Sequence, residues 1–481
     1  MVLRMIFGRE IKGIKSHHSL RCIKRMMGSR PDSRLLLGAL VQHCSLRADA
    51  TPGETDETMA KNPHVTILIA NLPAERDRRV IRECLTLEAK GFDVTVIAPR
   101  GDRTLRTLPG SRNTRLKPYP VVVYGGGVLS FAFEFGWSFA CIAVRLIGEV
   151  FAGRAHAVQV CNPPDVYWPL ALFLRAIGRP WVFDHHDLCP EVYAARVGAP
   201  NKWVLRTLSA LEWLTLRTAT EVVATNESFK DNAVRRGVKP DKVTVVRNGP
   251  ATAEIAVHED EDFVEPAETV HKVVYLGVFG PQDNVEGAVL AAEELTRRRG
   301  RTGWQMVLAG DGESMPALRK LATERGLDDV VTFTGWLDGS AVDELLRTAT
   351  VAIQPDLPTR MNHLSTMAKT VEYVGRGVPV VAADLIETRA TLGEAGTYVS
   401  NGTPVEFAEA IDALLDDPDR RRQMRKLGRE RFLGLLSWEH QAGGYAAVFQ
   451  RLLARRLPAA PPRIPGQRSG AHDATTTADQ R

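Results

Sequence analysis

The sequence predicts an α/β protein built from two doubly wound parallel-sheet domains in tandem. From residue 64 onward, short β-branched segments alternate with longer amphipathic segments of helical length, which is the βαβ pattern. An acidic, unpatterned segment at 258–266 interrupts this alternation, and a second series begins near residue 272. The chain has 481 residues, 44% of them hydrophobic, and is therefore long enough and apolar enough to form both cores.

Positive charge is concentrated in one arm of the chain. The first 50 residues carry ten basic and three acidic side chains, a net +7, whereas the rest of the chain has a net charge of −2. A general nucleic-acid-binding protein usually carries its basic residues on the folded body, where they follow phosphates, so this class is disfavoured. The arm lies in a predicted basic flexible leader at 1–61 and suits an anionic membrane surface instead. A proline-rich tail at 457–481 is predicted to be disordered.

Cysteine spacing and hydropathy indicate a cytoplasmic location. The six cysteines show no C-x-x-C spacing, which favours reduced thiols over a zinc or redox site. Charges interrupt the N-terminal segment from Arg4 to Arg34, so no secretory signal is indicated. The apolar region 121–151 contains Glu134 and Glu149, which favours a loop and a buried or interfacial helix over a membrane span. We therefore expect a cytoplasmic protein with peripheral attachment at the inner face of the membrane.

The first domain is predicted over 62–250. Its opening βαβ unit consists of strands at 64–70 and 94–98 with a helix at 78–90 between them. Further strands are predicted next to helix-length amphipathic segments, at 157–160, 181–184, 221–224 and 243–246. An acidic surface linker at 251–270 follows this domain.

The second domain is predicted over 271–436. Its strands are expected at 272–276, 305–309, 331–334, 351–354 and 379–383, with helices such as 286–298 and 315–325 between them. In doubly wound sheets, ligands bind beyond the carboxyl ends of the strands, and helix N-termini at that edge favour phosphate and other anions. The cleft between the two domains is therefore the predicted active site.

The densest group of ionisable residues stands at a predicted strand end. It contains Asp184, His185, His186 and Asp187 in succession. Three interpretations are open, namely side chains that orient substrate hydroxyls, a metal site, and a capped structural loop. Adjacent residues on an extended chain point in opposite directions, so His185 and His186 cannot easily bind one metal. Substrate contact is therefore favoured.

A second candidate site is the segment 362–381, whose pattern predicts loop, helix, turn and strand in that order. Ser365 or Thr366 is predicted to cap the helix, and the first backbone amides of the helix could hold a diphosphate. Lys369 could add a positive charge one turn into the helix, where it shares a face with Glu372. An ordinary surface Lys–Glu pair on a capped helix explains the same spacing.

Glycine turns follow two predicted strands of the second domain. Gly277 and Gly280 lie after the first strand, and Gly310 and Glu313 lie after the second. Such turns let the backbone approach the phosphates or base of a ligand. A tight turn without a ligand accounts for them equally well.

A polar segment joins a strand end to a helix start in the first domain. It ends in Asp77, Arg78 and Arg79. These side chains either face the cleft or solvate the start of the helix. The sequence in isolation favours solvation.

Four motifs together resemble one enzyme family. They are Asp184-His-His-Asp-Leu-Cys-Pro-Glu191, Val246-Arg-Asn-Gly249, Ala309-Gly-Asp-Gly-Glu313 and Ser365-Thr-Met-x-Lys-x-x-Glu-Tyr-x-x-x-Gly-x-Pro-Val-Val381. Over about residues 62–455, the chain resembles the retaining glycosyltransferases of family 4, which have the GT-B fold of two Rossmann-like domains facing across a cleft. The resemblance implies an acceptor-binding first domain and a second domain that binds a nucleotide sugar. It also implies a final crossover helix, expected at 437–456.

The resemblance assigns roles to individual positions. His186 and Asp187 would be catalytic residues near the transferred sugar, and Glu372 would bind the ribose hydroxyls of the donor. The other donor-binding positions would be Gly277, Gly280, Gly310, Glu313, Ser365, Thr366, Met367 and Lys369, and the acceptor-binding positions would be Asp77, Arg78 and Asp184. The family scheme requires no metal and no resident cofactor, because the nucleotide sugar is a co-substrate.

Two features depart from the family pattern. Leu364 stands eight residues before Glu372, where many relatives have a second glutamate that contacts the sugar. The turn after the first strand of the second domain offers Gln282 and Asp283 instead of the arginine and lysine of a diphosphate clamp. These departures fit a subgroup in which Lys369, or an arginine elsewhere, meets the charge of the phosphates.

The predicted function is transfer of a sugar from a nucleotide-sugar donor to a lipid-linked or cell-surface glycan precursor, with retention of configuration. The expected partners are this donor, the lipid-linked or glycan acceptor and an anionic membrane surface, with no nucleic acid. Two alternatives remain open. One is a nucleotide-sugar epimerase of similar fold, and the other is a non-catalytic glycosyltransferase-like subunit, which Leu364 would fit.

Overall fold

The computed structural model describes residues 62–122, 128–197, 199–255 and 270–454, without the side chains at 128–132 and 196. The predicted leader, the predicted tail and most of the predicted linker, at 1–61, 457–481 and 256–269, lie outside the described residues. The described residues form two α/β domains, each with a parallel sheet covered by helices. The predicted fold class of two doubly wound domains is therefore confirmed.

The first domain is organised around a parallel sheet. Its strands are β1 His64–Leu68, β2 Asp93–Pro99, β3 Arg115–Tyr119, β4 Ala157–Cys161, β5 Trp181–His185, β6 Glu221–Ala224 and β7 Val243–Val245. The spatial order is β3-β2-β1-β4-β5-β6-β7, and every pairing is parallel. All carboxyl ends therefore lie along one edge, and the order of strands reverses between β1 and β4, where ligands bind in such sheets.

Helices cover both faces of this sheet. They are α1 Arg78–Ala89, α2 Val128–Phe151, α3 Trp168–Ala176, α4 Cys189–Arg196, α5 Lys202–Thr218 and α6 Glu227–Arg235. Strands β1, β4 and β5 are buried along their whole length, as expected for a parallel sheet that is covered on both faces.

The second domain has the same architecture, a parallel sheet covered by helices. Its strands are β8 His271–Leu276, β9 Trp304–Ala309, β10 Val331–Gly335, β11 Val351–Gln354, β12 Val380–Ala383 and β13 Gly396–Val399, in the spatial order β10-β9-β8-β11-β12-β13. Its helices are α7 Val285–Arg299, α8 Met315–Glu324, α9 Gly339–Arg347, α10 Arg360–Leu364, α11 Ala368–Gly375, α12 Ile386–Leu392, α13 Pro404–Leu415 and α14 Pro418–Arg431. The strand pairings are again parallel.

The last helix, α15 Trp438–Leu452, returns to the first domain and lies within the predicted crossover segment. Trp438, Tyr445 and Phe449 belong to the apolar core that contains β1 and β2. The indole Nε1 of Trp438 donates a hydrogen bond to Thr86 Oγ1 on α1 at 2.9 Å. The first domain is therefore completed by residues that follow the second domain in the chain.

The sequence pattern does not predict the edge strands β3 and β13. Strand β3 has the polar sequence Arg-Leu-Lys-Pro-Tyr, and β13 is four residues long. An edge strand pairs on one side and tolerates exposed polar residues and proline. It therefore lacks the buried β-branched pattern by which the other strands are predicted.

The apolar region 121–151 contains α2, which agrees with the predicted helix, whereas most of the predicted loop, at 123–127, lies outside the described residues. No helix in the described part of the chain combines the length and the apolar character needed to cross a membrane. Ile142 and Leu146 are fully buried on the inner face of α2. On the outer face, Val144 is 70% exposed and Phe151 is 88% exposed.

Candidate active site

The two domains meet at the carboxyl ends of their strands. Asn226, two residues beyond β6, donates hydrogen bonds from Nδ2 to the carbonyl of Leu364 at 2.9 Å and to Thr366 Oγ1 at 3.1 Å. Leu364 packs against the apolar core of the first domain. The predicted phosphate-facing segment of the second domain therefore lies against the strand-end edge of the first.

Glu387 makes a second contact between the domains. Its carboxylate accepts hydrogen bonds from the backbone and the hydroxyl of Ser228, at 3.2 and 2.6 Å, and lies 3.7 Å from Arg247 Nη1. Ser228 is in the first turn of α6, where free amides and the helix dipole favour a carboxylate. Arg360 and Glu191 form a third contact between the domains, an ion pair at 3.0 Å in which the arginine is exposed.

The adjacent histidines at the end of β5 have different environments. His185 is completely buried between Phe183 and Phe229, with ring centroids 5.1 Å away on each side. Burial lowers the pKa of His185 to about 3, so the ring is neutral at ordinary pH. His186 is partly exposed, and its Nε2 contacts Asp184 Oδ2. Their different surroundings are those expected for alternating side chains at a strand end.

Asp184 is held by an arginine inside the domain. Arg79 Nε and Nη2 donate to the two oxygens of Asp184 at 3.1 and 2.8 Å, and both side chains are buried. Burial alone would raise the pKa of Asp184, but the charge of Arg79 and the hydrogen bonds from Arg79 and His186 outweigh it and hold the pKa well below its ordinary value. Asp184, which the sequence predicts to bind the acceptor, is thus a fully buried carboxylate engaged by Arg79 and His186.

Asn162, just beyond β4, fixes the backbone that carries His186 and Asp187. Its Oδ1 accepts from the amides of His186 and Asp187 at 2.6 and 3.1 Å, and its Nδ2 donates to the carbonyl of Asp187 at 2.7 Å. Asp187 itself is partly exposed. The loop is therefore held from the neighbouring strand end, and both predicted catalytic side chains remain accessible.

One set of potential metal ligands occurs among the described residues. Cys161, Asp184 and His186 place one ligand atom each within 4.8 Å of one another. Both oxygens of Asp184 are already engaged by Arg79, and burial raises the pKa of the Cys161 thiol well above its usual range. A thiol and an arginine-bound carboxylate are poor cation ligands, so the set fits a hydrogen-bonded cluster better than a metal centre.

The other predicted acceptor-binding residues lie at the start of α1. Asp77 caps this helix, since its Oδ1 accepts from the amides of Arg79 and Val80 at 3.1 Å each. Arg78 is exposed. Arg79 is buried in the cluster around Asp184, contrary to the solvation that the sequence favoured.

Helix α11 begins later than the sequence suggests. Its N-cap is Met367, which offers no side-chain hydrogen bond, so the prediction that Ser365 or Thr366 caps this helix is wrong. The hydroxyl of Thr366 accepts from Asn226 of the first domain instead. A cap from a side chain would occupy an amide at the helix start, whereas α11 leaves its first amides available to an external anion.

Lys369 and Glu372 do not form the surface pair that their spacing allows. Lys369 is 8% exposed, and its Nζ lies 3.0 Å from Asp356, 3.2 Å from Asp283 and 3.2 Å from the hydroxyl of Tyr275. Burial alone would lower the pKa of Lys369, but Asp356 and the other neighbours raise it well above its ordinary value. Glu372 pairs with Arg376 through its Oε2.

The glycine turns pack against each other. A Cβ at Gly310 would lie 1.8 Å from the carbonyl oxygen of Gly277, and one at Gly312 would lie 2.5 Å from the carbonyl oxygen of Phe279. Phe279 N also donates to the carbonyl of Asp311 at 3.0 Å. Close packing of the loops after β8 and β9 is therefore sufficient to require glycine at 310 and 312, which supports the tight-turn interpretation. Nearby Glu313 is exposed.

Two family models match the chain, one in each domain. The model described as "Glycosyl transferase 4-like domain" matches residues 78–249, and the model described as "Glycosyl transferases group 1" matches residues 270–417. The chain is a glycosyltransferase of the family 4 type. The family resemblance of the sequence motifs is thereby confirmed at this level.

Curated relatives of the glycosyltransferase act on sugars. It is 35% identical to an alpha-D-kanosaminyltransferase of Streptomyces kanamyceticus over 154 residues, 32% of this chain and 38% of that enzyme. It is 26% identical to a 2-deoxystreptamine glucosyltransferase of the same organism over 316 residues, 65% of this chain and 74% of that enzyme. The first match thus spans well under half of the relative's length.

Solved structures show the fold of the glycosyltransferase. Sucrose-phosphate synthase from Thermosynechococcus elongatus superposes with a TM-score of 0.63 at 18% identity, covering 82% of this chain and all of that one. The Anabaena protein HepE in complex with UDP-glucose superposes with a TM-score of 0.60 at 15% identity, covering 81% and 99%. Together with the two parallel-sheet domains, these superpositions establish the GT-B fold.

Sequence reasoning missed several polar residues of the glycosyltransferase that hold the site together. The sequence pattern favours a solvated Arg79, and it does not mark Asn162, Asn226 or Glu387. A signal for Arg79 was available, because Glu83 follows it at the i+4 spacing of a helical ion pair and the two lie 3.0 Å apart. The remaining three act on residues distant in the chain, and no local pattern marks such contacts.

Proposed function

We propose that this glycosyltransferase moves a sugar from a nucleotide-sugar donor, bound by the second domain, to an acceptor bound by the first, with retention of configuration. The observation that supports this proposal most directly is the contact of Asn226 with Leu364 and Thr366. It sets the strand-end edge that bears His186 against the segment that leads into α11. A donor whose phosphates bind at the start of α11 would thus have its sugar directed toward the first domain.

The donor class is supported by chemistry and by comparison. Free amides at the start of α11 and the helix dipole suit a diphosphate, and the Glu372 carboxylate suits a pair of ribose hydroxyls. HepE, which shares the fold, was crystallised with UDP-glucose, and the relative from S. kanamyceticus is a glucosyltransferase. A nucleotide sugar therefore fits the second domain, and it serves as the co-substrate.

The proposed reaction breaks the bond between the anomeric carbon and the diphosphate oxygen. The diphosphate leaves with the bonding electrons, an acceptor hydroxyl oxygen bonds to the anomeric carbon on the same face, and the hydroxyl proton is released. The developing negative charge would be stabilised by the α11 dipole and amides, because preorganised donors at that position act without reorganisation. In this scheme His186 and Asp187 contact the transferred sugar, and the chemistry needs no metal.

The proposed acceptor is a lipid-linked or cell-surface glycan precursor at the cytoplasmic face of a membrane. Exposed apolar residues lie along one face of α2, at the helical spacings that place them in a single stripe: Phe133, Trp137, Val144, Ile147 and Phe151. We call these five residues the α2 stripe. The stripe carries no charge, and the first 50 residues of the chain carry a net +7. An apolar stripe combined with a basic arm matches the two signals that hold a peripheral protein on anionic lipid.

The catalytic proposal is tested with the full chain and a panel of nucleotide sugars. Thermal shift identifies the stabilising donor, release of the nucleoside diphosphate measures turnover with a glycolipid extract, and NMR of the product gives the configuration of the new bond. We expect turnover and a product with the donor's anomeric configuration. Epimerised donor without transfer, an inverted product, or donor binding without any turnover would each contradict the proposal.

The membrane proposal is tested by flotation with vesicles of anionic and of neutral phospholipid. Binding to anionic vesicles should fall with added salt, with deletion of residues 1–50, and with the double variant Phe133→Ser and Phe151→Ser. Trp203→Ser is the matched control, because Trp203 is 73% exposed but lies on α5, outside the stripe. Equal recovery with and without anionic lipid, or equal loss in the control, would overturn this assignment.

A further inference from the structure

A buried polar cluster lies directly behind His186. It consists of Arg79, Glu83, Gln159, Asp184 and Tyr445, which come from α1, β4, β5 and α15 and are all nearly or fully buried. Charged residues are rarely buried this deeply unless each is paired. The cluster contacts the predicted catalytic side chain at a single point, where Asp184 Oδ2 meets His186 Nε2.

The inner contacts of the cluster fix the position of Asp184. Arg79 holds both of its oxygens, at 2.8 and 3.1 Å, in the two-pronged geometry that matches a guanidinium to a carboxylate. The remaining nitrogen, Arg79 Nη1, donates to the carbonyl of Val246 at 2.9 Å, which ties the arginine to the end of β7. Neither side chain is free to rotate without losing these bonds, so the carboxylate is presented to His186 in one orientation.

The outer contacts connect the cluster to the crossover helix. Tyr445 donates to Gln159 Oε1 at 2.7 Å, and Gln159 Nε2 donates to Glu83 Oε2 at 2.7 Å. Glu83 in turn lies 3.0 Å from Arg79 Nε. The cluster is therefore connected to the crossover helix on one side and to His186 on the other.

This arrangement determines which histidine nitrogen is available to a substrate. A carboxylate only accepts hydrogen bonds when ionised, so the His186 nitrogen beside it, Nε2, must carry the proton. In the neutral form of the ring, the other nitrogen, Nδ1, is then the acceptor. A partner that fixes one nitrogen in this way commonly sets the tautomer and orientation of a functional histidine.

We propose that Asp184 and Arg79 are positioning residues that hold His186 with Nε2–H toward Asp184 and thereby present Nδ1 to a hydroxyl of the transferred sugar. Neither residue contacts the substrate in this scheme. The inference rests on the proposed function, since it assumes that His186 contacts the donor sugar. It adds that the carboxylate and guanidinium behind the ring determine how the ring makes that contact.

The test uses Asp184→Asn and Arg79→Lys in the full chain, with the nucleotide sugar chosen by the thermal-shift panel. Asp184→Asn keeps the shape of the side chain but can turn an amide N–H toward Nε2, which favours the opposite tautomer. We expect kcat to fall about 100-fold, since a slightly misplaced group costs that much, while donor KM changes by less than about threefold. Arg79→Lys keeps the charge but not the two-pronged contact, so its kcat should fall about tenfold. The kcat of Arg79→Met should fall further.

Two readouts separate positioning from simple destabilisation. Nitrogen NMR of histidine-labelled protein, with the signal assigned by its loss in His186→Gln, should show the Nε2–H tautomer in the unsubstituted chain and a shift toward Nδ1–H in Asp184→Asn. Thr86→Val is the matched control, because it removes a buried hydrogen bond between α1 and Trp438 of the crossover helix, outside the cluster. It should lower the melting temperature and leave kcat and the His186 signal unchanged.

The outcomes distinguish this inference from the proposed function. If His186→Gln leaves turnover unchanged, the proposed role of His186 fails and the positioning role fails with it. If His186→Gln abolishes turnover but Asp184→Asn retains full kcat or the original tautomer, only the positioning inference is overturned. A loss of kcat in Thr86→Val equal to that in Asp184→Asn would likewise overturn it, because the effect would then follow stability.

Discussion

Glu372 provides the sharpest test of the donor site, because its removal should affect binding far more than folding. Glu372 pairs through Oε2 with Arg376 one turn along α11. Arg376 also binds Asp343, with its Nε and Nη2 at 2.8 and 2.5 Å from Oδ1. The arginine therefore keeps a carboxylate partner when Glu372 is neutralised. The lost ion pair is largely buried, with 5% of the Arg376 side chain and 20% of the Glu372 side chain exposed, but the arginine is not left unpaired, so the cost in unfolding free energy should be about 1 kcal/mol.

The expected cost in donor binding is larger. A hydrogen bond to a charged group contributes about 1.5–3 kcal/mol, compared with about 0.5–1.5 kcal/mol for a neutral one. Glu372→Gln keeps hydrogen-bonding atoms and loses the charge, so donor Kd should rise about tenfold. Glu372→Ala removes the hydrogen bonds as well, and Kd should rise about 100-fold.

Isothermal titration with the stabilising nucleotide sugar measures both variants, and urea denaturation checks the fold. Glu344→Gln is the matched control, because Glu344 pairs with Arg347 at 2.7 Å on the exposed surface of α9. It should leave donor Kd unchanged. Intact stability combined with an unchanged Kd in both Glu372 variants would refute the assignment of Glu372 to the ribose. A 2′,3′-dideoxy donor should bind both variants and the unsubstituted chain equally.

Three further predictions concern Lys369, Asp165 and the metal interpretation of His186. Lys369→Met should lower the unfolding free energy by about 3–5 kcal/mol in urea denaturation, because Asp283 and Asp356 lose their cation. Adding Asp356→Asn should recover part of this loss. An unchanged unfolding free energy in Lys369→Met would contradict the ion cluster. Burial raises the pKa of Asp165 to about 7, so the folded state holds a proton that the unfolded state releases, and stability should fall as pH rises from about 4 to 7. The unfolding free energy of Asp165→Asn should equal that of the unsubstituted chain near pH 4 and exceed it at pH 8 by up to about 4 kcal/mol. Identical pH profiles of stability would contradict the raised pKa of Asp165. Turnover should survive EDTA, whereas a loss restored by a divalent ion would favour the metal interpretation of His186.

The fold could be predicted from the sequence because local patterns carry it. The buried strands β1, β4 and β5 are short segments rich in apolar residues, and the helices between strands show their amphipathic period. The change from one domain to the next is marked by the acidic segment at 258–266. Strands β3 and β13 escape such reasoning, because β3 has a polar, largely exposed sequence and β13 contains a single aliphatic residue, Val399.

The candidate site could be predicted only in part. The sequence placed His186 at a strand end and α11 next to a turn and strand, and the family models confirm the type of enzyme to which these motifs point. It also suggested a surface pair for Lys369 and Glu372. The structure instead pairs Lys369 with the buried Asp356 and the partly buried Asp283, which is 86 positions away in the chain.

The two-domain organisation, most of the strands and helices and the motifs at the strand ends follow from the sequence alone, because each of these depends on residues that are close together in the chain. The partners of the buried polar and charged side chains are instead set by the tertiary structure. Arg79 reaches Asp184 across 105 positions, Asn226 reaches Thr366 across 140, and Tyr445 reaches Gln159 across 286. A buried charge is stable only beside its partner, and that partner is brought to it by the packing of whole elements rather than by any local pattern.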